Sequence, residues 1–155
     1  MKLEIRKNGD PILREKCKPV IVIDEEIKKL ASDMLETMYS ADGVGLAAPQ
    51  VGINKRMFVI DVGNGPLVMI NPRILLRIGE ENGREGCLSI PGLWGEVARA
   101  QKIDVEAMNL QGDKVRIEGD SLLARAIQHE FDHLNGILFI DKATQLIDAS
   151  SKKEE

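Results

Sequence analysis

The sequence predicts an α+β fold in a single domain. Two segments have the periodicity of amphipathic helices, and the rest is mostly short apolar runs separated by turn residues, as in antiparallel strands. A chain of 155 residues is long enough for one core, and no repeat or linker divides it. We expect a folded domain over residues 1–148 and a disordered tail over 149–155, where every side chain is small or charged.

The first elements are marked by turn and cap residues. Pro11 follows a Gly-Asp turn and can open a short helical segment. Asp24 is a good N-cap for a helix that we expect to run to about Tyr39, because apolar residues recur after it at the i, i+3, i+4, i+7 spacing. A glycine-rich loop over 43–52 comes next.

The middle of the chain is predicted to form strands, which are marked by apolar runs rich in β-branched residues. These runs lie at 57–60, 67–70, 74–78 and 97–108, the last with only partial alternation. The Gln-Gly-Asp turn at 111–113 predicts a hairpin that returns through 114–117. A second helix is expected to begin at 120–121 and to end near Gly136.

Composition argues against two classes of partner. The net charge of -4 gives no broad basic field, and three Phe, one Tyr and one Trp give no platform for base stacking, so nucleic acid is not expected. No apolar run reaches membrane-spanning length, and the first residues lack the apolar stretch of a signal peptide. We therefore expect no membrane partner, a cytoplasmic location, and reduced thiols at Cys17 and Cys87.

The second helix carries the strongest chemical signal. Its His129 and His133 are the only two histidines of the chain, and residues four apart on a helix share one face. Both imidazoles can therefore bind a single metal ion. Glu130 lies beside that face, where the general base for a metal-activated water is needed. The ordinary alternative is a solvated helix face that matches the pattern by chance.

A catalytic metal site needs a third protein ligand, and Cys87 is the best candidate. It lies in a stretch rich in glycine and turn residues, 83–92, from which a thiolate can reach a metal. Three protein ligands leave the fourth position open, as in catalytic sites. A buried, inert thiol is the alternative for Cys87 and the prediction for Cys17. Asp141 and Asp148 remain alternative ligands.

The helix also indicates where a ligand can bind. Leu122 and Ala126 lie within the two turns before His129 on its face, so they can form the wall of an apolar pocket beside the metal; ordinary core packing is the alternative. Gly43 and Gly45 leave backbone free to pair with an extended peptide as an added strand.

Three segments together resemble a known family. They are Gly43–Gln50 (GVGLAAPQ), Glu85–Ser89 (EGCLS) and Gln128–His133 (QHEFDH). In their order and approximate spacing they resemble peptide deformylase, and residues 10–14 (DPILR) are also similar. The resemblance covers nearly the whole chain up to about Asp141.

The resemblance implies removal of the N-formyl group from the formyl-methionine of nascent polypeptides, with release of formate. It implies one Fe²⁺ per chain on Cys87, His129 and His133, replaceable by Zn²⁺, Ni²⁺ or Co²⁺, within antiparallel sheets packed around the metal-binding helix. A metal-bound hydroxide would attack the formyl carbon. Glu130 would act as general base and then as general acid.

The resemblance also implies roles for residues around the metal. The Gln50 side chain and the backbone N–H of Leu88 would stabilise the oxyanion. Val44, Gly86 and Leu88 would contribute to substrate binding. The partners would be N-formylmethionyl nascent peptides and, through a transient contact, the ribosome.

Two rival classes share the histidine motif. A zinc endopeptidase needs a downstream ligand, but Phe139 stands where the longer form of the motif has its third histidine. The only glutamates after the motif are Glu154 and Glu155, in the tail. An inactive metal-binding protein would have no need to retain Gln50, Glu130 and Cys87 together.

Overall fold

Two antiparallel sheets and two helices form residues 1–148, the part of the chain that this computed structural model describes. The helices are α1 (Glu25–Ser40) and α2 (Ser121–His133). The strands are β1 (Gly45–Ala47), β2 (Met57–Ile60), β3 (Leu67–Ile78), β4 (Glu81–Cys87), β5 (Ile90–Arg99), β6 (Lys102–Met108), β7 (Lys114–Asp120) and β8 (Gln145–Asp148). The strand orders are β1-β2-β3-β6-β7 and β4-β5-β8. The predicted α+β class is confirmed.

Helix α1 begins where the sequence predicts. The Asp24 side chain accepts a hydrogen bond of 3.1 Å from the backbone N–H of Ile27, which satisfies one of the free donors of the first turn. The apolar face of the helix packs on the larger sheet through Ile27, Leu30, Ala31, Met34 and Met38, all buried. The predicted short segment after Asp10 is also present, as a 3-10 helix at Pro11–Arg14.

Helix α2 lies between the two sheets. One face packs on the larger sheet through Ala124 and Ile127, which are fully buried. The other face turns His129 and Arg125 towards β4 and β5. The chain leaves the helix through Gly136, whose φ of +74° favours glycine; a Cβ there would lie 2.5 Å from the Arg14 carbonyl oxygen. The path of the chain just after α2 is therefore set by a close backbone approach.

Two predictions about strand limits are wrong. Residues 67–70 and 74–78 belong to one strand, β3, which continues past Asn71 and Pro72 with a register shift against β6. Asn71 has a φ of +50°, and its side chain hydrogen-bonds both the N–H and the carbonyl of Val20. The interruption in the sequence is therefore a local irregularity that neighbouring strands and Val20 hold in place.

The predicted single strand over 97–108 is divided between the two sheets. Its first residues end β5, and its last residues form β6. The Gln128 side chain accepts a hydrogen bond from Ala100 N–H at 3.1 Å and donates to Ala100 O at 2.9 Å, so α2 holds the crossing point. The hairpin of β6 and β7 is confirmed and extends beyond 114–117 to Asp120.

The predicted tail, 149–155, lies outside the described residues, and the domain limit at 148 stays a prediction. Among residues 1–148, no helix combines the length and apolar character needed to cross a membrane. The glycine-rich loop predicted over 43–52 contains the short strand β1 and a 3-10 helix at Ala48–Val51.

Candidate metal centre and active site

Cys87, His129 and His133 come together where the end of β4 meets α2. One ligand atom from each lies within 4.8 Å of the other two. The Sγ of Cys87 is 3.4 Å from Nε2 of His133, and the two imidazole centroids are 5.0 Å apart. A tetrahedral ion with bonds of about 2.0–2.3 Å needs ligand atoms roughly 3–4 Å apart, so the three side chains are close to the required separation.

The alternative ligands lie elsewhere. Asp141 forms an exposed ion pair with Arg14 and accepts a hydrogen bond from Leu138 N–H. Asp148 pairs with Leu93 in the smaller sheet. Over residues 1–148, the group that could hold a metal consists of the cysteine and the two histidines. Cys17 is buried at 3% exposure, and burial raises its pKa to about 11, as expected for an inert thiol.

Cys87 is held by the hairpin of β4 and β5. It pairs with Ile90 across a turn at 88–89, and the register shifts between Glu85 and Cys87. The stretch 83–92, rich in glycine and turn residues, forms the end of β4, the turn at 88–89 and the start of β5, and its Gly83 and Gly86 allow close packing within β4. A Cβ on Gly86 would lie 2.8 Å from Cζ3 of Trp94.

Glu85 orients His129. Its Oε1 lies 2.8 Å from Nδ1 of His129 and accepts a hydrogen bond from the N–H at that position. The other ring nitrogen, Nε2, is then left to bind a metal. It also accepts hydrogen bonds from Arg99, at 2.8 and 2.9 Å, and from Arg125 at 2.7 Å. Burial alone raises the pKa of Glu85, but Arg99 and His129 outweigh it and hold the pKa well below its usual range. Sequence reasoning missed this role.

Two arginines complete the buried network. Arg99 also donates to Asp132 at 2.6 Å, so it joins β4 to α2 beside His133. Arg125 donates to Glu85, to the Val97 carbonyl at 2.9 Å and to the Glu81 carbonyl at 2.7 Å. Arg125 is buried, and these three acceptors compensate for the burial of its charge.

We expect Glu85→Gln to weaken metal binding by about 10–100-fold, since the neutral amide is a poorer partner for His129 and for two arginines. The dissociation constant, measured by competition with a coloured chelator, checks this. Glu80→Gln, an exposed neighbour, is the matched control. An unchanged constant for Glu85→Gln would show that His129 is oriented by packing alone.

Gln50 points its amide nitrogen at Ser89 and Cys87, the latter one of the three candidate ligands. Its Oε1 accepts a hydrogen bond of 2.9 Å from Ala47 N–H, which fixes the amide orientation. Its Nε2 donates to Ser89 Oγ at 3.1 Å and lies 3.5 Å from Cys87 Sγ. Ser89, fully buried, is a further residue that sequence reasoning missed; its place in the EGCLS segment was the available signal.

Glu130 is buried at 4% exposure beside the ligands. Burial raises its pKa to about 7, close to the value that suits a general base at neutral pH. A Cβ on Gly45 would lie 2.5 Å from Glu130 Oε2. Strand β1 therefore needs a glycine at position 45, where it passes the carboxylate. Among the described residues, Glu130 Oε1, His133 Nδ1 and Glu96 Oε2 are buried without a hydrogen-bond partner. The unpartnered oxygen of Glu130, which lines the cavity with Cys87 and His129, indicates a place for water there.

The two histidines have opposite pKa shifts. Burial lowers the pKa of His133 well below its ordinary value, so this imidazole is neutral and able to bind a metal. Burial also acts to lower the pKa of His129, but Glu130, Cys87 and Glu85 outweigh it and raise the pKa well above its ordinary value. A metal ion would therefore compete with a proton at His129.

A cavity of about 440 Å³ opens in front of these groups. It is lined by every residue predicted to bind substrate: Gly43, Val44, Gly45, Gly86, Leu88, Leu122 and Ala126. Ala126 is buried, whereas Val44 and Leu122 are about half exposed. Strand β1 is at the edge of its sheet, so it can accept a further strand. These residues share one cavity, and their roles stay predictions.

Comparisons with known proteins agree with this site. The family model described as polypeptide deformylase matches residues 2–148. Peptide deformylase from Clostridium botulinum is 57% identical over 141 residues, 91% of this chain and 96% of that relative. The relative from Desulfitobacterium hafniense is 59% identical over 140 residues, 90% and 93% of the two chains.

Solved structures give the same result. The crystal structure of peptide deformylase from Thermotoga maritima superposes with a TM-score of 0.92 at 51% identity, covering 94% of this chain and 99% of that one. A peptide deformylase from Synechococcus elongatus in complex with actinonin has a TM-score of 0.90 at 50% identity, covering 92% and 79%. The chain therefore belongs to the polypeptide deformylase family of enzymes.

Proposed function

We propose that this enzyme removes the N-formyl group from the formyl-methionine of nascent polypeptides and releases formate. One observation carries the proposal: Cys87 and His129 line one cavity together with Glu130 and Gln50, and His133 completes the ligand cluster beside them. A transient contact with the ribosome and a cytoplasmic location remain predictions from the family resemblance and from the sequence.

The donor set fits a divalent transition metal. A thiolate and two imidazoles accommodate Fe²⁺, Zn²⁺, Ni²⁺ or Co²⁺, and the family resemblance leads us to propose Fe²⁺, one per chain. When bound, such an ion lowers the pKa of a coordinated water and so supplies a strong nucleophile at neutral pH. Glu85 supports this assignment because it leaves Nε2 of His129 available.

Glu130 moves the protons of the reaction. It takes the proton of the attacking water as a new C–O bond forms at the formyl carbon. When the C–N bond of the formamide breaks, it returns the proton to the leaving nitrogen, so the products are formate and a free amino terminus. A pKa raised by burial suits a group that must both accept and donate.

Gln50 and the backbone N–H of Leu88 are proposed to stabilise the oxyanion. The support for Gln50 is its orientation, since Ala47 holds the amide oxygen and directs the nitrogen towards Cys87. We expect Gln50→Leu to lower kcat by roughly 10²–10³-fold with a smaller change in KM. Gln111→Leu, in an exposed turn, is the control. A raised KM with unchanged kcat would mean that Gln50 only positions the peptide.

The methionine side chain is proposed to occupy an apolar pocket of this cavity, lined by Leu122 and Ala126 of α2, by Leu88 of the β4–β5 turn and by Val44. The peptide backbone would pair with β1 at Gly43 and Gly45.

A bulky side chain at position 126 tests this pocket. Ala126→Trp should lower activity on formyl-methionyl peptides while the metal stays bound, because the ring projects from the face that carries His129. Steady-state kinetics and metal analysis check this result. Leu75→Trp, on the exposed part of β3, is the control. Full activity of Ala126→Trp would mean that the methionine side chain does not bind beside Ala126.

The proposed function is tested by three substrates given to protein purified without oxygen and loaded with iron. We expect formate from formyl-Met-Ala-Ser, no cleavage of acetyl-Met-Ala-Ser, and no hydrolysis of casein. Cleavage of internal bonds in casein without formate release would favour an endopeptidase. Metal binding with no reaction on any substrate would favour an inactive metal-binding protein.

A further inference from the structure

We propose that two copies of this chain associate through β7, because the charges on this strand are complementary to those of the same strand in a second, antiparallel copy. The proposal concerns assembly and goes beyond the proposed function, since it does not depend on the reaction. It assigns a role to the strand that leads directly into the metal-binding helix α2.

Strand β7 is an edge of the larger sheet. The strand order β1-β2-β3-β6-β7 gives this sheet two edges, and β1 is the one whose Gly45 lines the cavity. At the other edge, β7 pairs with β6 along its whole length, and no other strand within residues 1–148 pairs with it. One row of its backbone N–H and C=O groups is therefore available to a further strand.

One face of β7 carries two cations followed by two anions. Successive side chains of a strand alternate between its faces, so Lys114, Arg116, Glu118 and Asp120 share a face, and all four are exposed. Ile117 is on the other face and packs against the core beside α2. A second copy that runs in the opposite direction brings its negative end to the positive end of the first.

A two-fold axis beside Ile117 pairs these charges without conflict. Lys114 then lies opposite Asp120 of the partner subunit, Arg116 lies opposite Glu118 of the partner subunit, and symmetry repeats both pairs. Sliding one strand by two residues centres the axis on Arg116 or Glu118 and puts like charges opposite each other. Sliding it by one residue puts the charged face of one copy beside the apolar face of the other. Charge complementarity therefore selects one register.

The contacts within the chain are compatible with this pairing. Arg116 Nε donates to Asp104 at 2.8 Å, and Lys114 Nζ lies 3.5 Å from Glu106, yet the two cationic side chains are still 64% and 71% exposed. Glu118 lies opposite the acidic Asp104 of β6, so a cation from a second copy would offset this repulsion. Charges on an edge strand commonly prevent association, but charges of a single sign would serve that purpose better.

Sedimentation velocity of the metal-loaded enzyme tests the association. A pair of seven-residue strands makes a small interface, so we expect a weak dimer with a dissociation constant of about 10–500 µM. The sedimentation coefficient should rise from that of the monomer between about 5 µM and about 1 mM. A monomer throughout this range would overturn the proposal.

Two charge reversals identify the surface. Lys114→Glu and Asp120→Lys each put like charges opposite each other twice in a homodimer, so each should raise the dissociation constant by about 10-fold or more. An equal mixture of the two variants should regain the association, because every opposed pair is again of opposite sign. Lys28→Glu, exposed on α1, is the control and should associate as the wild type does. Association that survives either reversal, or a mixture that stays monomeric, would overturn the proposal.

Disulfide formation tests the register and does not require Asp120→Lys to fold. Ile117→Cys places two thiols beside the axis, so the zinc-loaded variant should be cross-linked to a dimer under mild oxidation. Val115→Cys should not, because its two copies lie four residues apart along the paired strands, roughly 13 Å. Wild-type protein treated in the same way gives the background from Cys17 and Cys87. No cross-linking of Ile117→Cys, or equal cross-linking of both variants, would overturn the proposal.

Discussion

Glu130→Gln should lower the rate of formate release by about 10²–10⁴-fold while the metal stays bound. Glutamine has nearly the same size, so it fits beside Gly45 as Glu130 does, but its amide cannot accept the proton of the attacking water. Single-turnover rates and metal analysis on the same sample separate catalysis from binding. Glu118→Gln, exposed on β7, is the control, and near-wild-type turnover by Glu130→Gln would contradict the assignment.

The pH profile gives a second measure of the same residue. A general base is active when ionised, so kcat/KM should fall as the pH drops through the pKa of Glu130. Burial is the main cause that raises that pKa to about 7, and the charge of a bound cation acts in the opposite direction. The fall in kcat/KM should therefore have its midpoint below about pH 7. The residual activity of Glu130→Gln should show no such fall.

Cys87→Ser should weaken metal binding by more than the roughly 10–100-fold typical of a change in an outer-shell partner, because it removes a ligand and its negative charge. Cys17→Ser should leave metal content near that of the wild type, since Cys17 is in the core away from the site. Competition with a coloured chelator measures both constants.

Cobalt-substituted protein provides a direct view of the sulfur ligand. The wild type should show a sulfur-to-cobalt charge-transfer band in the near ultraviolet, and Cys87→Ser should lack it. A band that is absent from the wild type, or that survives in the variant, would mean that Cys87 is not a ligand. Asp141 and Asp148 would then have to be tested in its place.

The parts of the site that lie close in sequence were predictable. His129 and His133 are four residues apart on α2, and that spacing alone places both rings on one face. The N-cap at Asp24 and the turn before β7 are likewise local signals, and the structure confirms them. The sequence separation between β4 and α2 does not indicate that the two elements meet in space. The approach of Cys87 to the helix therefore rests on the chemistry of its thiol and on its neighbours in the sequence.

The residues that were missed act through tertiary contacts. Glu85 and Arg125 are ordinary charged residues in the sequence, and only the packing of β4 on α2 shows that they bind each other. Gly83 and Gly86 belong to the stretch rich in glycine and turn residues, but each gives room to a large side chain, Arg125 and Trp94 respectively. A glycine needed for a close approach looks the same in a sequence as a glycine needed for a turn.

The change of sheet after Arg99 could not be predicted for a similar reason. Both halves of 97–108 contain buried residues, so the apolar pattern continues across the break. The crossing depends on Gln128, which belongs to a helix far along the chain and hydrogen-bonds Ala100.

The central claim is that formate release depends on a metal held by Cys87, His129 and His133. Its most direct test removes the metal with a chelator, restores Fe²⁺ stepwise without oxygen, and measures formate release from formyl-Met-Ala-Ser against iron bound per chain. We expect no activity without metal, a linear rise, and a plateau at one ion per chain. Formate release by the metal-free protein, or no release at one bound ion, would contradict the claim.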